Sequence, residues 1–261
     1  MKPITRAVLR MALVLVPLYT ISIAIALHIS STPPPPPPPS SQVIAKPAPN
    51  IDRSYYASVA VLHPVSRRPM GGATIIKWEP NQPILAISAY HVIRDLPSLP
   101  ILGLVRSLKT PPYPVAWSMQ MGVKFIRYSA DLVLLESIKI PKDYGISVTL
   151  GPSAHIGNRI WVIGSPQGYQ RSVTDGVISG LTGESLEKDT RVIEYRISAP
   201  IYIGNSGGGV FNENQELIGV IRAIGFRNHP LIPEMLVSIP GAAYAIHTSE
   251  IYHLLKGSGD L

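Results

Sequence analysis

Ile203-Gly204-Asn205-Ser206-Gly207-Gly208-Gly209 places four glycines around one serine. Such a run does not build a core strand, because glycine packs nothing and weakens strand interiors. It suits a tight loop in which backbone comes close to a ligand. The N–H groups of Gly204 and Ser206 can converge on one point and stabilise a developing oxyanion there. The Ser206 hydroxyl would then sit beside that point as a nucleophile. The same residues also fit a glycine-rich turn with an incidental serine. The rest of the chain weighs on the choice, because a serine nucleophile needs a base and the base needs an orienting group.

Seven histidines are available. His28 lies in an N-terminal apolar stretch, His63 and His229 each precede a proline, and His155 falls in a Pro/Gly/Asn loop. His247 and His253 flank or occupy a C-terminal helical segment. Surface or structural roles suit all six. His91 differs, because it follows the apolar run Ile84-Leu85-Ala86-Ile87-Ser88-Ala89 and opens a short turn, Val92-Ile93-Arg94. That setting holds an imidazole rigidly at the edge of a cleft. Asp131 begins a second apolar run, Leu132-Val133-Leu134-Leu135. A carboxylate at the lip of a buried strand is costly unless it is paired or hydrogen-bonded. A histidine N–H is one such partner, and nearby backbone is another.

From residue 55 onward the chain reads as short β-rich runs broken by Gly, Pro and Asn. Strands are expected at 55–62, 74–78, 84–89, 101–106, 123–128, 132–137, 159–163, 172–181, 191–198, 209–212, 216–223 and 243–246. This pattern argues for an all-β body of antiparallel barrels rather than a βαβ sheet. One helix is expected at the end, capped by Thr248 or Ser249, presenting Ile251, Leu254 and Leu255 on one face and stopped by Gly257.

His91, Asp131 and Ser206, in that order, resemble the chymotrypsin-like serine proteases. Ser88-Ala89-Tyr90-His91-Val92-Ile93 resembles the clan's histidine motif, Ala130-Asp131-Leu132-Val133 its aspartate strand, and Gly204-Asn205-Ser206-Gly207-Gly208 its nucleophile motif. The match is closest to the HtrA branch, through Gly164-Ser165-Pro166-Gln167-Gly168, Thr174-Asp175-Gly176-Val177-Ile178-Ser179, Glu216-Leu217-Ile218-Gly219-Val220 and Tyr244-Ala245-Ile246. The resemblance covers about residues 55–255. It implies two six-stranded antiparallel β-barrels with the site between them. His91 would be the general base, Asp131 its orienter and Ser206 the nucleophile, with Gly204 and Ser206 N–H as the oxyanion hole. No metal or organic cofactor is implied, and the substrates would be proteins or peptides, including unfolded ones.

Departures from the family sharpen the expectations. Asn205 stands where digestive and clotting relatives have an aspartate that pairs with a newly cut N-terminus, so activation by N-terminal cleavage is not expected. Pro200 stands six residues before the serine, where trypsin-type enzymes hold an acid, so cleavage after Lys or Arg is not expected. The resemblance assigns Pro200, Ala223, Ile224 and Gly225 to the substrate pocket and suggests a small or medium aliphatic residue before the cut. Control is expected from the loops at 164–170, 200–205 and 225–241. The chain stops about 15 residues after Ile246, so a protease domain without the PDZ domain of HtrA proteins is expected. Oligomerisation is not derivable. The alternative to an active protease is a catalytically silent protease-like module that binds or scaffolds.

Residues 11–29 carry no Asp, Glu, Lys or Arg, and as a helix they measure about 28 Å, near the hydrocarbon thickness of a bilayer. Lys2, Arg6 and Arg10 precede them, which favours a cytoplasmic N-terminus at 1–10 and a translocated remainder. A cleaved signal peptide is the competing reading, but the apolar run is long for one and Ala26-Leu27-His28 is a poor cleavage site. The expectation is a transmembrane signal anchor, a Pro-rich linker at 30–50 and a protease domain at 51–261, periplasmic or extracellular. Within the linker, Pro33 to Pro39 would form a polyproline II rod of ~22 Å that spaces the domain from the membrane. The net charge is +7, of which Lys2, Arg6, Arg10 and Lys46 contribute +4, leaving a thinly spread +3. No basic cluster with interleaved aromatics occurs, so nucleic acid is not an expected partner. With no cysteine, disulfides, thiolate metal sites and cysteine nucleophiles are excluded.

Overall fold

A computed structural model describes residues 51–105, 116–139, 146–166, 171–182, 192–228 and 236–261. Six strands, β1 (Ser58–Leu62), β2 (Pro69–Lys77), β3 (Leu85–Ala89), β4 (Ile101–Val105), β5 (Ala116–Arg127) and β6 (Leu132–Ser137), close an antiparallel barrel in the order β1-β2-β3-β6-β5-β4. Six more, β7 (Arg159–Gly164), β8 (Ser172–Thr182), β9 (Glu194–Ile197), β10 (Gly209–Phe211), β11 (Leu217–Asn228) and β12 (Leu236–His247), close a second in the order β10-β11-β12-β9-β8-β7. Helix α1 (Asp52–Ala57) leads into the first barrel and helix α2 (Thr248–Ser258) follows the second.

The near-continuous apolar runs at 84–89 and 132–135 now have a physical cause. Successive side chains of a strand point to opposite faces. In β3 and β6, Leu85, Ile87, Leu132 and Leu134 enter a core shared by both barrels, with Ile163, Phe211, Val220 and Ile246 across the contact. The alternate residues Ala86, Val133 and Leu135 fill the lumen of the first barrel. Both faces are dry, so neither strand carries a polar alternation. The second lumen is packed by Ile160, Val162, Ile178, Tyr195, Ile197, Val210 and Ile218. Removing a fully buried side chain such as Leu134 would cost about 2–5 kcal/mol.

Three local expectations are corrected. Tyr55–Ala57 is helical rather than strand. The first-turn N–H groups of Arg53 and Ser54 donate to the Gln215 side chain, at 2.8 and 3.3 Å, a partner about 160 residues away. The cap of α2 is His247, whose Nδ1 accepts the Ser249 N–H at 3.0 Å, rather than Thr248 or Ser249. That helix runs past Gly257 and ends at Gly259, with φ +79°. Gly257 instead lies against the Phe125 ring, where a Cβ would come within 2.9 Å.

Helix α2 also bridges to the first barrel. Arg127 donates Nε and Nη2 to Oε2 of the buried Glu250, at 3.0 and 2.7 Å. Among the described residues no helix is long and apolar enough to cross a membrane. The expected anchor at 11–29 and linker at 30–50 lie outside the described residues, as do His28 and His229 and parts of the expected control loops, 167–170 and 229–235.

Candidate active site

The antiparallel register of β3 and β6 brings His91 and Asp131 together. Ala89 lies opposite Leu132, so the residue that follows β3 meets the residue that precedes β6. The Tyr90 N–H donates to the Asp131 carbonyl at 2.7 Å. The His91 N–H donates to Asp131 Oδ1 at 2.8 Å, and His91 Nδ1 lies 2.5 Å from Asp131 Oδ2. Both carboxylate oxygens are thus engaged by one histidine. Asp131 itself has φ +54°, a left-handed conformation that aspartate tolerates better than most residues. A 3-10 turn, Tyr128–Ala130, delivers the chain into it. A carboxylate this close to Nδ1 keeps the Nδ1 proton in place and leaves Nε2 as the basic nitrogen. The two side chains are 32% and 21% exposed, so the pair sits at a cleft rim. Tyr90, the large residue beside His91, packs edge-to-face on Tyr128 with ring centroids 5.1 Å apart.

The serine comes from the second barrel on a loop pinned by backbone. The Gly207 N–H donates to the Ile221 carbonyl at 2.7 Å, and the Ile221 N–H donates to the Gly208 carbonyl at 2.9 Å. Gly204 and Gly207 have φ of +99° and +79°. A side chain on Gly207 would collide with the Gly72 carbonyl as well as being strained. The N–H groups of Gly204 and Ser206 have no hydrogen-bond partner among the described residues. The Ser206 hydroxyl donates to the Arg222 carbonyl at 3.4 Å, and no hydrogen bond joins it to His91.

What couples the two halves is a part of β2 that the sequence reading missed. The Gly72 N–H donates to the Ser206 carbonyl at 2.7 Å, and the buried Ser88 hydroxyl donates to the Gly72 carbonyl at 2.7 Å. A Cβ on Gly72 would come within 2.8 Å of Gly208 Cα. A Cβ on Gly71 would meet both the Ser206 carbonyl and the side chain of Val92, the residue after His91. Two adjacent glycines inside β2 are the signal that was passed over, since glycines within a strand mark a close approach of another backbone.

A cleft of about 270 Å³ opens between 198–202, Ile224 and 239–243. Pro200 and Ile224 are among its lining residues, together with Ala199, Ile201, Tyr202, Ile239, Ala242 and Ala243. Ala223 and Gly225 are not part of that lining. Gly225 instead lies against Ala242, where a Cβ would come within 2.9 Å. The lining residues from β12 escaped notice because only the pairing of β11 with β12 places them opposite Ile224. Among the described residues no charged side chain lines the cleft.

Known proteins agree with this architecture. The family model for the trypsin-like peptidase domain matches residues 72–220. Serine protease PepD of Mycobacterium tuberculosis is 38% identical over 85 residues, covering 30% of this chain and 18% of the relative. Protease Do-like 1, chloroplastic, of Arabidopsis thaliana is 30% identical over 162 residues, covering 60% of this chain and 34% of that protein. A probable periplasmic serine endoprotease DegP-like of Pseudomonas putida is 42% identical over 76 residues, covering 28% and 16%. The chain thus spans about a third or less of the length of these curated relatives. Among solved structures, Deg5 superposes with a TM-score of 0.58 at 20% identity, covering 77% of this chain and 88% of the other. The HtrA-type protease AlgW with decapeptide gives 0.61 at 20% identity, covering 80% and 66%. These structures share the fold, and the family model spans more than half of the sequence, so the chain belongs to the trypsin-like peptidase domain family.

Proposed function

We propose that this chain is a serine endopeptidase of the HtrA type that cleaves peptide bonds of protein substrates. The observation that carries the reading is the meeting at Gly71 and Gly72 of the Ser206 loop with the turn that bears a carboxylate-bound His91. In this reading a χ1 rotation, fast for a side chain, swings the Ser206 hydroxyl from the Arg222 carbonyl to His91 Nε2. Oγ attacks the peptide carbonyl carbon as Nε2 takes its proton. The oxyanion is held by the N–H groups of Gly204 and Ser206, which have no hydrogen-bond partner among the described residues. Asp131 holds the ring and stabilises the imidazolium. The C–N bond breaks as Nε2 returns the proton to the leaving amine. Water then cleaves the acyl ester by the same route, restoring Ser206.

The cleft lined by Pro200 and Ile224, which has no charged side chain among the described residues, supports a small or medium aliphatic residue before the scissile bond and disfavours Lys and Arg. Membrane attachment through 11–29, with the domain outside the cytoplasm, is part of the proposal and rests on the apolar span and the charges that precede it. Cleavage of the domain by added protease in spheroplasts, with a cytoplasmic marker protein still protected, tests that part.

The parked serine hydroxyl favours a second reading, a silent protease-like module. One experiment separates the two. The full chain is treated with a fluorophosphonate probe, with Ser206→Ala and His91→Ala as controls. Labelling that both substitutions abolish supports the enzyme. A folded wild-type chain that does not label supports the silent module.

A further inference from the structure

We propose that Arg222 is a positioning residue for the nucleophile, with its side chain held by Glu194 and its effect delivered through its own backbone carbonyl. The proposal rests on the reading of Ser206 as nucleophile. Arg222 sits at a bulge in β11, where the pairing register with β12 shifts between Ile221 and Ala223. Its carbonyl is the acceptor of the Ser206 hydroxyl, and its neighbour Ile221 makes both backbone bonds to Gly207 and Gly208. Ile224, two residues beyond it, lines the cleft. One residue therefore joins the serine loop to the substrate cleft.

A bulge leaves one residue outside the ladder, so its peptide plane is not fixed by strand pairing. Here the side chain supplies the constraint. Nε of Arg222 reaches Glu194 Oε1, and Nη2 reaches Oε2 at 3.0 Å, a two-pronged contact with one preferred orientation. The two side chains are only 16% and 6% exposed. Glu194 lies on β9, paired with Ile246 of β12, so the contact reaches across an intervening strand. Its own position is fixed in turn. The Ile193 carbonyl accepts the His247 N–H at 3.0 Å, and the Ile193 N–H donates to Glu250, which also holds Arg127, four residues before Asp131. A connected set of ionic and backbone bonds thus runs from the approach to Asp131 to the carbonyl that faces Ser206. A buried ion pair adds little net stability, because desolvation offsets its attraction. Its effect here is geometric: it aims the Arg222 carbonyl, and so sets where the serine hydroxyl rests and how readily it reaches His91.

The test uses the full chain in detergent, with the fluorophosphonate acylation rate, the kcat and KM for a peptide substrate, and the thermal midpoint as readouts. The double variant Arg222→Met/Glu194→Gln removes both charges together, so that neither is left buried alone. The expected result is a folded protein with a near wild-type midpoint, acylation and kcat reduced at least about tenfold, and KM within about twofold. Arg222→Lys, which keeps the charge and loses the fork, should lie between the double variant and wild type. A folded double variant that acylates at the wild-type rate overturns the proposal and leaves the enzyme reading intact. If the double variant does not fold, a folded Arg222→Lys that is slowed supports the proposal, and one at the wild-type rate overturns it. A folded wild-type chain that fails to label overturns both.

Discussion

The two barrels hold their shares of the site by opposite means. The first places His91 and Asp131 at the ends of paired strands whose side chains are dry on both faces, and it fixes the pair with three hydrogen bonds. The second places Ser206 on a glycine-rich loop whose constraints are backbone bonds and close approaches rather than packed side chains. A base needs a fixed orientation, which a rigid strand end supplies. An oxyanion site needs bare N–H groups, and a loop can leave them unpaired where a strand would bond them. The division lets one half be stiff while the other exposes backbone.

The largest effects should come from breaking either half outright. Ser206→Ala or His91→Ala should lower kcat by about 10⁶, and Asp131→Asn by about 10⁴, since the orienter contributes less than nucleophile or base. Steady-state peptide hydrolysis by the full chain checks this, and equal losses at all three positions would contradict the assigned roles. Next comes the joint between the halves. Gly72→Ala drives a methyl group into Gly208 and should lower kcat by about 10², the penalty of a displacement near 1 Å, with the first barrel still folded by circular dichroism. Unchanged activity would mean that the serine loop does not depend on β2.

The described lining of the cleft lies in the second barrel, so the cleft should respond without the first. Ala242→Phe should fill it and lower kcat/KM by about tenfold for a substrate with leucine before the cut, while glycine or alanine substrates hold. A uniform loss across substrates would place the specificity pocket elsewhere. The smallest effect concerns the cap of α2. Burial pushes the His247 imidazole below its ordinary pKa, with Glu250 opposing in part. The neutral ring is also the acceptor for the Ser249 N–H. Below about pH 6.5 the unfolded chain binds this proton and the folded one resists it, so stability falls as the pH drops through that range. His247→Asn, which can still cap, should flatten this slope, a change of about 2–4 °C in Tm between pH 7 and 5. A slope unaltered by the substitution would assign the acid sensitivity to other groups.

Much of the strand plan was legible because burial writes itself into sequence. Runs such as Leu132–Leu135 and the glycines around Ser206 are local patterns with local causes. Helix α1 was not legible, because the acceptor that satisfies its first turn is Gln215, far along the chain. The same holds for the cap of α2, where a histidine took the role usually given to serine or threonine. Four of the ten lining residues, Ile239, Gly241, Ala242 and Ala243, were missed for a related reason, since they reach the cleft only through a strand pairing.

By itself the sequence determined which groups are available for chemistry: one serine among glycines, one histidine at a strand end, one aspartate at the lip of another, and an uncharged Pro200 six residues before the serine. Those are matters of residue type and near neighbours. Only the tertiary structure decided that Gly72 carries the Ser206 carbonyl, that the serine hydroxyl rests on Arg222, and that Arg222 is held by Glu194. Those relations arise from the closure of two barrels and their contact. They join residues 16 to 134 positions apart, beyond the reach of any local pattern.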